Sequence, residues 1–310
     1  MRNYTELTEF ILLGIPRTQG VEKTLFLLFL FIYFFTLIGN LLILIAIVSS
    51  SVLHTPMYFF LGLLAILDIV LPAVTCPKML FYLSGQSRAI SYMGCASQLF
   101  FYHFLGTAEA CLYAVMSCDR FVAICYPLRY SLIMRPRVCV GLVIVAWTLG
   151  CVHSSILTAF TFSLTYCGPN QVDFFFCDIP AVMPLACDDT SLAQTVGSAE
   201  VSFMVLSFWG TVCFCYIRIA NAILRMRSAE GRKKAFSTCS AHLAAVLCYL
   251  APVAIIYLQP TPNHLVDAIV QIFTSIVSPM LNSLIFSLRN KDVKNSLRKV
   301  FCKVILTLQK

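Results

Sequence analysis

The chain has 310 residues, of which 59% are hydrophobic and only 12% are charged, and its formal net charge is +8. Soluble domains carry about 25% charged residues, so this composition excludes a single soluble core and favours a membrane protein. The apolar segments are near 20 residues long, whereas an outer-membrane β-barrel would show alternating segments of about ten residues.

Seven apolar segments are each long enough to cross about 30 Å of hydrocarbon as a helix, in which every backbone amide bonds within its own segment. The predicted spans are 24–48, 57–80, 95–118, 139–160, 197–223, 235–258 and 267–287. The sequence therefore predicts an all-α membrane protein with a seven-helix bundle over residues 24–287. A segment 1–23 precedes the bundle, a long loop 161–196 joins the fourth and fifth spans, and the tail 288–310 carries a short amphipathic helix.

Basic residues predict the orientation of the bundle. Three segments that a seven-span chain places on one side hold 4, 6 and 7 of the 22 Lys and Arg residues: 119–138, 218–234 and 289–310. The loop 161–196 has no Lys or Arg but four Asp, so we expect it outside and the carboxyl terminus in the cytosol. Arg17 and Lys23 alone would favour a cytosolic amino terminus, but the total over later loops overrides the first span. The positive charge is thus a topology signal, and no nucleic-acid partner is expected.

The amino terminus lacks the apolar core of a cleavable signal peptide, so the first span is expected to serve as an uncleaved signal. Asn3 begins the sequence Asn-Tyr-Thr, which is a glycosylation acceptor on the exterior side.

Four of the 15 cysteines fall on the predicted exterior side, where an oxidising environment favours disulfides: Cys95, Cys167, Cys177 and Cys187. Four cysteines allow three pairings, and their spacing does not choose among them. Zinc is the rival interpretation for the three loop cysteines, but no Cys-x-x-Cys is present and no metal is expected.

Charged residues inside the predicted helices are costly and therefore functional by default. Asp68 and Glu109 lie in mid-span, and Asp119 and Arg120 end the third span. Proton-coupled transporters use such carboxylates, but the repeated halves common in transporters are not evident here. The chain has no GxSxG, HExxH or phosphate-binding Gly-Lys motif, so we expect no enzyme.

Six motifs in order resemble those of one family, and they extend over almost the whole chain. They are LTEFILLGIP at 7–16, GN at 39–40, HTPMYFFL at 54–61, MSCDRFVAICYPLRY at 116–130, KAFSTCSAHL at 234–243 and PMLNSLIFSLRNKDVK at 279–294. The chain resembles the odorant receptors among the rhodopsin-like G-protein-coupled receptors. The resemblance implies a plasma-membrane receptor of olfactory sensory neuron cilia that binds a small volatile molecule and raises cyclic AMP through a stimulatory G protein.

The resemblance also assigns roles to buried polar residues. It implies that Asp119 holds Arg120 at rest, and that Arg120 turns towards inner helix ends on activation, where Tyr216 and His242 receive it. A polar core that holds a sodium ion or shares a proton is implied at four positions: Asn40, Asp68, Glu109 and Asn282. A buried network without a signalling role remains the alternative. The implied disulfides are Cys95–Cys177 and Cys167–Cys187.

The ligand site is expected among the outer halves of the third, fifth, sixth and seventh helices. Helical spacing puts four residues of the third helix on one inward face: Tyr102, His103, Gly106 and Thr107. Matched family positions add Glu200, Phe203, Met204, Val253, Ala254, Tyr257, Ile272 and Ser275. We expect His103 and Glu200 to face each other and anchor the polar end of a ligand. His153 is interpreted as a packed core or interface residue.

Several positions depart from the family pattern. Ser283 and Phe286 replace the proline and tyrosine of the seventh-helix motif, and Cys118 and Phe121 replace tyrosines beside Asp-Arg. The missing proline predicts a straighter seventh helix. In the sixth helix two further departures, Leu250 and Pro252, remove an aromatic and introduce a kink near the pocket floor.

A rhodopsin-like receptor for another ligand remains the nearer alternative to an odorant receptor, and a transporter the more distant one. A retinal-binding opsin needs a lysine that 267–287 lacks, and an amine receptor favours an acid where Tyr102 stands.

Overall fold

The computed structural model describes residues 7–15, 20–258 and 264–308, and it confirms the seven predicted spans. Apart from two short helices at Tyr130–Ile133 and Ile179–Val182, the first six helices are α1 (Glu22–Ser49), α2 (Pro56–Leu83), α3 (Tyr92–Cys125), α4 (Pro136–Phe162), α5 (Ser191–Leu224) and α6 (Ala229–Leu258). The seventh, α7, consists of His264–Ile272, a π-helical turn at Phe273–Val277, and Ser278–Arg289. An eighth helix, α8 (Lys291–Leu308), follows it and fulfils the prediction of a helix in the tail.

Local sequence signals fix several helix ends. Pro56 and Pro136 start α2 and α4, where a missing N–H costs nothing. The Ser91 hydroxyl caps α3 by accepting a hydrogen bond from the Gly94 amide at 3.0 Å. At its other end α3 runs to Cys125, seven residues beyond the predicted boundary at 118. The Asp119–Arg120 pair therefore lies within the helix and not at its end.

The outer surface of the bundle is apolar, as a lipid-facing surface must be. On α1, for example, Leu27 is 65% exposed and Phe31 is 57% exposed. The helices approach closely where side chains are small: a Cβ added to Gly39 on α1 would overlap the Ser283 hydroxyl of α7. Glycine at this position therefore permits the contact between α1 and α7.

The prediction of a straighter seventh helix overlooks a second proline. Regular α-helical hydrogen bonding in α7 is interrupted by the π-helical turn Phe273–Val277, directly before Pro279. Proline has no N–H to donate to the carbonyl four residues earlier, which is that of Ser275. The loss of proline at position 283 therefore leaves an irregular seventh helix, with the irregularity one turn earlier.

A small sheet covers one end of the bundle, and the all-α prediction does not include it. The strand β1 (Glu9–Leu12) lies in the centre, antiparallel to β2 (Ala89–Ser91) and parallel to β3 (Gln171–Val172). Phe10 and Leu12 of β1 are fully buried beneath it. The amino-terminal segment thus joins two loops into a lid over the helix ends.

Both expected disulfides are present at this end. Cys95 at the start of α3 bonds to Cys177 in the long loop, and Cys167 bonds to Cys187 within that loop. We refer to this as the disulfide end of the bundle. Asn3 lies outside the described residues.

At the opposite end α8 packs against α1. The Ser296 hydroxyl donates a hydrogen bond to the Ala46 carbonyl at 3.0 Å, and Val293 is fully buried. The Asn290 side chain caps the helix by accepting a hydrogen bond from the Asp292 amide at 3.0 Å. One face of the tail helix is therefore fixed to the bundle.

Candidate functional site

A cavity of about 80 Å³ lies between the helices, in the half of the bundle nearer the disulfide end. Its walls come from α2 to α7, and they are mostly apolar with a few polar side chains. The lining residues are Leu71, Tyr102, His103, Gly106, Thr107, Ala110, His153, Val201, Met204, Val205, Phe208, Tyr249, Leu250, Val253 and Thr274. Pockets for drug-sized ligands measure about 300–1,000 Å³, so this cavity suits only a small molecule.

Asp178 of the long loop connects the lid to the cavity wall. Its carboxylate is buried and lies 3.1 Å from the His103 Nε2 of α3. The other carboxylate oxygen accepts a hydrogen bond at 2.8 Å from Gln271 Nε2 of α7. The Tyr102 hydroxyl in turn donates to the Gln271 side chain. Because Asp178 follows disulfide-bonded Cys177, the loop, α3 and α7 meet in one polar network that we call the roof network (Tyr102, His103, Asp178 and Gln271).

A second polar contact lies beside the cavity, between α4 and α5. His153 Nδ1 and Glu200 Oε1 are 3.1 Å apart, which is an ion-pair distance, but the pair lacks the directionality of a hydrogen bond. The ring centroids of His103 and His153 are 6.0 Å apart. The expected direct contact of His103 with Glu200 is therefore not formed: His103 contacts Asp178, and Glu200 contacts His153.

Half of the residues expected to bind the ligand line the cavity: Tyr102, His103, Gly106, Thr107, Met204 and Val253. Phe203 does not, because its side chain is 69% exposed on the outer surface of α5. Glu200 is 21% exposed and lies behind His153.

The remaining expected residues are placed elsewhere. Ala254 packs in a cluster with Leu157 and Val201, and Ile272 packs beneath the lid. Ser275 is buried, and its hydroxyl donates to the Gln271 carbonyl at 2.6 Å. The Tyr257 side chain lies outside the described residues.

The structure adds cavity residues that sequence reasoning missed. His153 lines the cavity, although it was expected to be a packed core or interface residue. Tyr249 donates a hydrogen bond to the Gly106 carbonyl at 2.8 Å and closes one side. Leu250 lies in the wall, so the departure from the family aromatic directly alters the lining. The position of His153 in the middle of an apolar helix could have marked it as a cavity residue. The sequence alone, however, does not show which way α4 is rotated, and so does not show that His153 faces the cavity.

A buried polar core lies deeper in the bundle. Asn282 Nδ2 on α7 donates to Asp68 Oδ1 on α2 at 3.1 Å and to the Tyr113 hydroxyl on α3 at 2.6 Å. Asn40 on α1 donates to the Pro279 carbonyl at 3.3 Å. The core therefore joins four helices.

Glu109 belongs to the same core and is fully buried. Its carboxylate lies beside the Tyr113 side chain and close enough to Asp68 for their charges to interact. Two buried acids without a basic partner among the described residues suit a shared proton or a small cation. No group of three or more His, Cys, Asp or Glu side chains in the described part of the chain has the geometry of a metal site.

The Asp119–Arg120 pair forms a closed latch. Arg120 Nη2 donates to Asp119 Oδ2 at 2.6 Å, and the Tyr130 hydroxyl donates to Asp119 Oδ1 at 2.7 Å. Burial and the Asp119 carboxylate raise the pKa of Tyr130, so its hydroxyl remains a donor at neutral pH. The Asp119 side chain is fully buried and that of Arg120 is 14% exposed.

The two other residues expected in the switch contact each other. The Tyr216 hydroxyl and His242 Nδ1 are 2.6 Å apart, so neither holds Arg120 in this structure. Arg120 instead lines a larger cavity of about 770 Å³ that opens at the end opposite the disulfides. Glu230, Lys233 and Asp292 also border that cavity. In this arrangement Arg120 contacts Asp119, which is the contact that the latch hypothesis expects at rest.

Comparison with known proteins identifies the family. A family model described as olfactory receptor matches residues 29–304. The chain is 67% identical to Mus musculus olfactory receptor 10N1 over 310 residues, which is 100% of both chains. It is 61% identical to Homo sapiens putative olfactory receptor 10D4 over 295 residues, which is 95% of this chain and 99% of the relative. It is 58% identical to Homo sapiens olfactory receptor 10D3 over 300 residues, which is 97% of this chain and 96% of the relative. The seven spans, the cavity and the latch thus belong to a member of the olfactory receptor family of G-protein-coupled receptors, which are signalling receptors and not enzymes.

Proposed function

We propose that this receptor binds a small volatile odorant in the cavity beneath the roof network and activates a stimulatory G protein that raises cyclic AMP. The observation that supports this most strongly is that α3 carries residues of a small, mostly apolar cavity as well as the latched Arg120. About 15 Å of α3 separates Ala110 in the cavity from Arg120, because a helix rises 1.5 Å per residue. Movement of α3 at the cavity therefore reaches the latch directly.

The polar groups of the cavity favour a ligand that carries a hydroxyl group. The Asp178 carboxylate accepts from His103 Nε2, so a neutral His103 ring has Nδ1 as a remaining acceptor. The Thr107 hydroxyl also lines the cavity, and no described residue bonds to it. Met204 and Val253 supply apolar wall on the other side. An alcohol or phenol would donate to His103 and place its carbon skeleton against that wall, and a carbonyl compound would instead accept from Thr107.

In this proposal the disulfide end is extracellular and the Arg120 cavity faces the cytosol of an olfactory sensory neuron cilium. The Lys- and Arg-rich segments flank that cavity, which agrees with the positive-inside rule. Opening of the Tyr216–His242 pair would give Arg120 new partners and admit the G protein between the helix ends. A transporter is less well supported, because the matching family is one of receptors.

The buried acids are proposed to hold a sodium ion or to share a proton. Asp68 and Glu109 would supply the oxygen ligands, since both carboxylates are buried and lie close enough for their charges to interact. The test is the thermal stability of the purified receptor in sodium chloride and in choline chloride at equal ionic strength. Sodium should stabilise the wild type and not Glu109→Gln, and equal stability of the wild type in both salts would favour the shared proton.

The signalling experiment is a cyclic AMP reporter in cells that express the full chain, screened against a broad panel of odorants. Arg120→Ala should abolish the response to any active odorant at equal surface expression while odorant binding remains measurable, because Arg120 does not line the ligand cavity. A full response from this variant would contradict the latch, and solute uptake without a cyclic AMP response would favour a transporter.

The ligand experiment compares an active alcohol with its methyl ether, which cannot donate a hydrogen bond. His103→Ala should raise the effective concentration of the alcohol about 5- to 150-fold, because a lost buried hydrogen bond costs about 1–3 kcal/mol, and it should have little effect on the ether. Phe203→Ala is the matched control, since that side chain faces away from the cavity. An unchanged preference between the two ligands in His103→Ala would show that this histidine is structural.

A further inference from the structure

Two free cysteines meet between α3 and α5, close to the latch. The Sγ atoms of Cys118 and Cys215 are 3.7 Å apart. A disulfide bond needs a separation of about 2.05 Å, so a shift of under 2 Å along the line between the two sulfurs would join them. Neither residue takes part in the two structural disulfides at the opposite end of the bundle.

A groove on the outer surface of the bundle leads to this pair. Its volume is about 590 Å³, and both cysteines line it together with Gly210, Thr211 and Phe214. Cys118 is partly exposed and Cys215 is 1% exposed. A small uncharged oxidant that enters the groove would therefore meet Cys118 first and find Cys215 in contact behind it. An accessible thiol with a resolving partner is the arrangement found in redox-sensing cysteines.

The position of the pair gives its oxidation a consequence. Cys118 directly precedes Asp119 and Arg120, and Cys215 directly precedes Tyr216. These neighbours form the latch and the Tyr216–His242 contact. A bond between the two sulfurs would hold α3 and α5 together at the level where the proposed activation requires them to move.

We propose that Cys118 and Cys215 form a reversible, peroxide-sensitive disulfide that locks the receptor in its resting arrangement. The Cys118 thiolate attacks hydrogen peroxide, the O–O bond breaks, and the released hydroxide takes the thiol proton to form water. Cys118 is then a sulfenic acid, and Cys215 sulfur attacks it. The S–S bond forms as the S–O bond breaks, and a second water leaves with the Cys215 proton. Two electrons pass from the two thiols to the peroxide, and a dithiol reductant reverses the reaction by exchange.

Cys125 provides a matched control on the same helix. It lies seven residues after Cys118, and its thiol contacts the Arg218 carbonyl at 3.7 Å. In the proposed topology Cys125 also lies near the cytosolic side of the membrane. Its hydrogen-bond partner, however, is a backbone carbonyl and not a thiol.

The test uses membranes from cells that express the full chain. They are treated with hydrogen peroxide, denatured in N-ethylmaleimide to cap every free thiol, digested, and mapped without reduction. The expected product is a linked peptide pair containing Cys118 and Cys215, lacking two hydrogens relative to the free thiols. It should be lost with dithiothreitol, be absent from Cys118→Ser and Cys215→Ser, and persist in Cys125→Ser. Capped Cys118 and Cys215, or an over-oxidised Cys118 without the linked pair, would overturn the proposal.

The effect on signalling rests on the proposed receptor function, and it is measured separately. After peroxide treatment the wild type should lose its cyclic AMP response to an active odorant, whereas Cys118→Ser should keep it. A linked pair with an undiminished response would overturn the locking role. If no odorant gives a response even before peroxide, the proposed function fails, while the peptide map still decides whether the disulfide forms.

Discussion

Replacement of Asp178 by alanine should destabilise the receptor, because this carboxylate holds the loop, α3 and α7 together. It is 1% exposed and accepts hydrogen bonds from three donors: His103 Nε2 at 3.1 Å, the Ile179 amide at 2.8 Å and Gln271 Nε2 at 2.8 Å. Both side-chain donors belong to buried residues. Alanine at 178 leaves these two donors without an acceptor.

The expected cost follows from the number of stranded donors. A buried donor left unsatisfied costs about 1–3 kcal/mol, so two of them give about 2–6 kcal/mol for Asp178→Ala. Asp178→Asn keeps one carbonyl oxygen for His103 but turns an amide N–H towards Gln271, so it should lose about 1–3 kcal/mol. The two substitutions should therefore form a graded series, with alanine the less stable.

The assay is thermal unfolding of the purified receptor in detergent, followed with a thiol-reactive dye. Buried free cysteines such as Cys76, Cys111 and Cys139 become reactive only when the bundle opens. At about 2–4 °C per kcal/mol, Asp178→Ala should lower Tm by at least about 4 °C. Asp173→Ala is the matched control, since this acid is exposed in the same loop and its loss should change stability by no more than about 0.5 kcal/mol. Equal Tm values for the two alanine variants would refute the structural role of the roof network.

Two other predictions concern helix packing and pH. Gly39→Ala should lower the free energy of unfolding by about 1–3 kcal/mol, because the added Cβ would overlap the Ser283 hydroxyl. Adding Ser283→Gly should restore most of that loss in the double variant. If thermal unfolding instead shows that the losses of the two single variants add, this contact is contradicted. The Thr165 amide donates a hydrogen bond to Asp188 at 2.7 Å and holds the pKa of that carboxyl below its usual 3.8. A carboxyl whose pKa is lower in the folded state than in the unfolded state stabilises the loop at pH values above its unfolded-state pKa. That stabilisation is lost as the pH falls through the folded-state pKa. The protection factor of the Thr165 amide against hydrogen exchange should therefore fall below about pH 4 in the wild type. It should already be low at pH 7 in Asp188→Ala, which has no acceptor, and equal protection in both proteins at pH 7 would exclude the bond.

The sequence by itself determined the seven spans, because each apolar segment in lipid must satisfy its own backbone hydrogen bonds, which makes helix formation a local property. The tail helix was predicted from the sequence as well. Family motifs placed the Asp119–Arg120 latch, the polar core around Asp68 and both disulfides. Each of these depends on residue type at a fixed position along a helix or beside one. Such features are therefore readable without knowing how the helices are rotated.

Only the tertiary structure decided which side chains meet. Phe203 and Met204 are adjacent in the chain, yet the rotation of α5 turns the first to the outer surface and the second into the cavity. His103 pairs with Asp178 because the long loop folds inward after Cys177, and Glu200 of α5 contacts His153 of α4 instead of His103. Helix rotation and loop path are set by the sum of many weak contacts between segments far apart in sequence, including the strand that residues 9–12 add to the lid. No local pattern carries that information, so the partners of a buried polar group become known only when the packed helices are seen together.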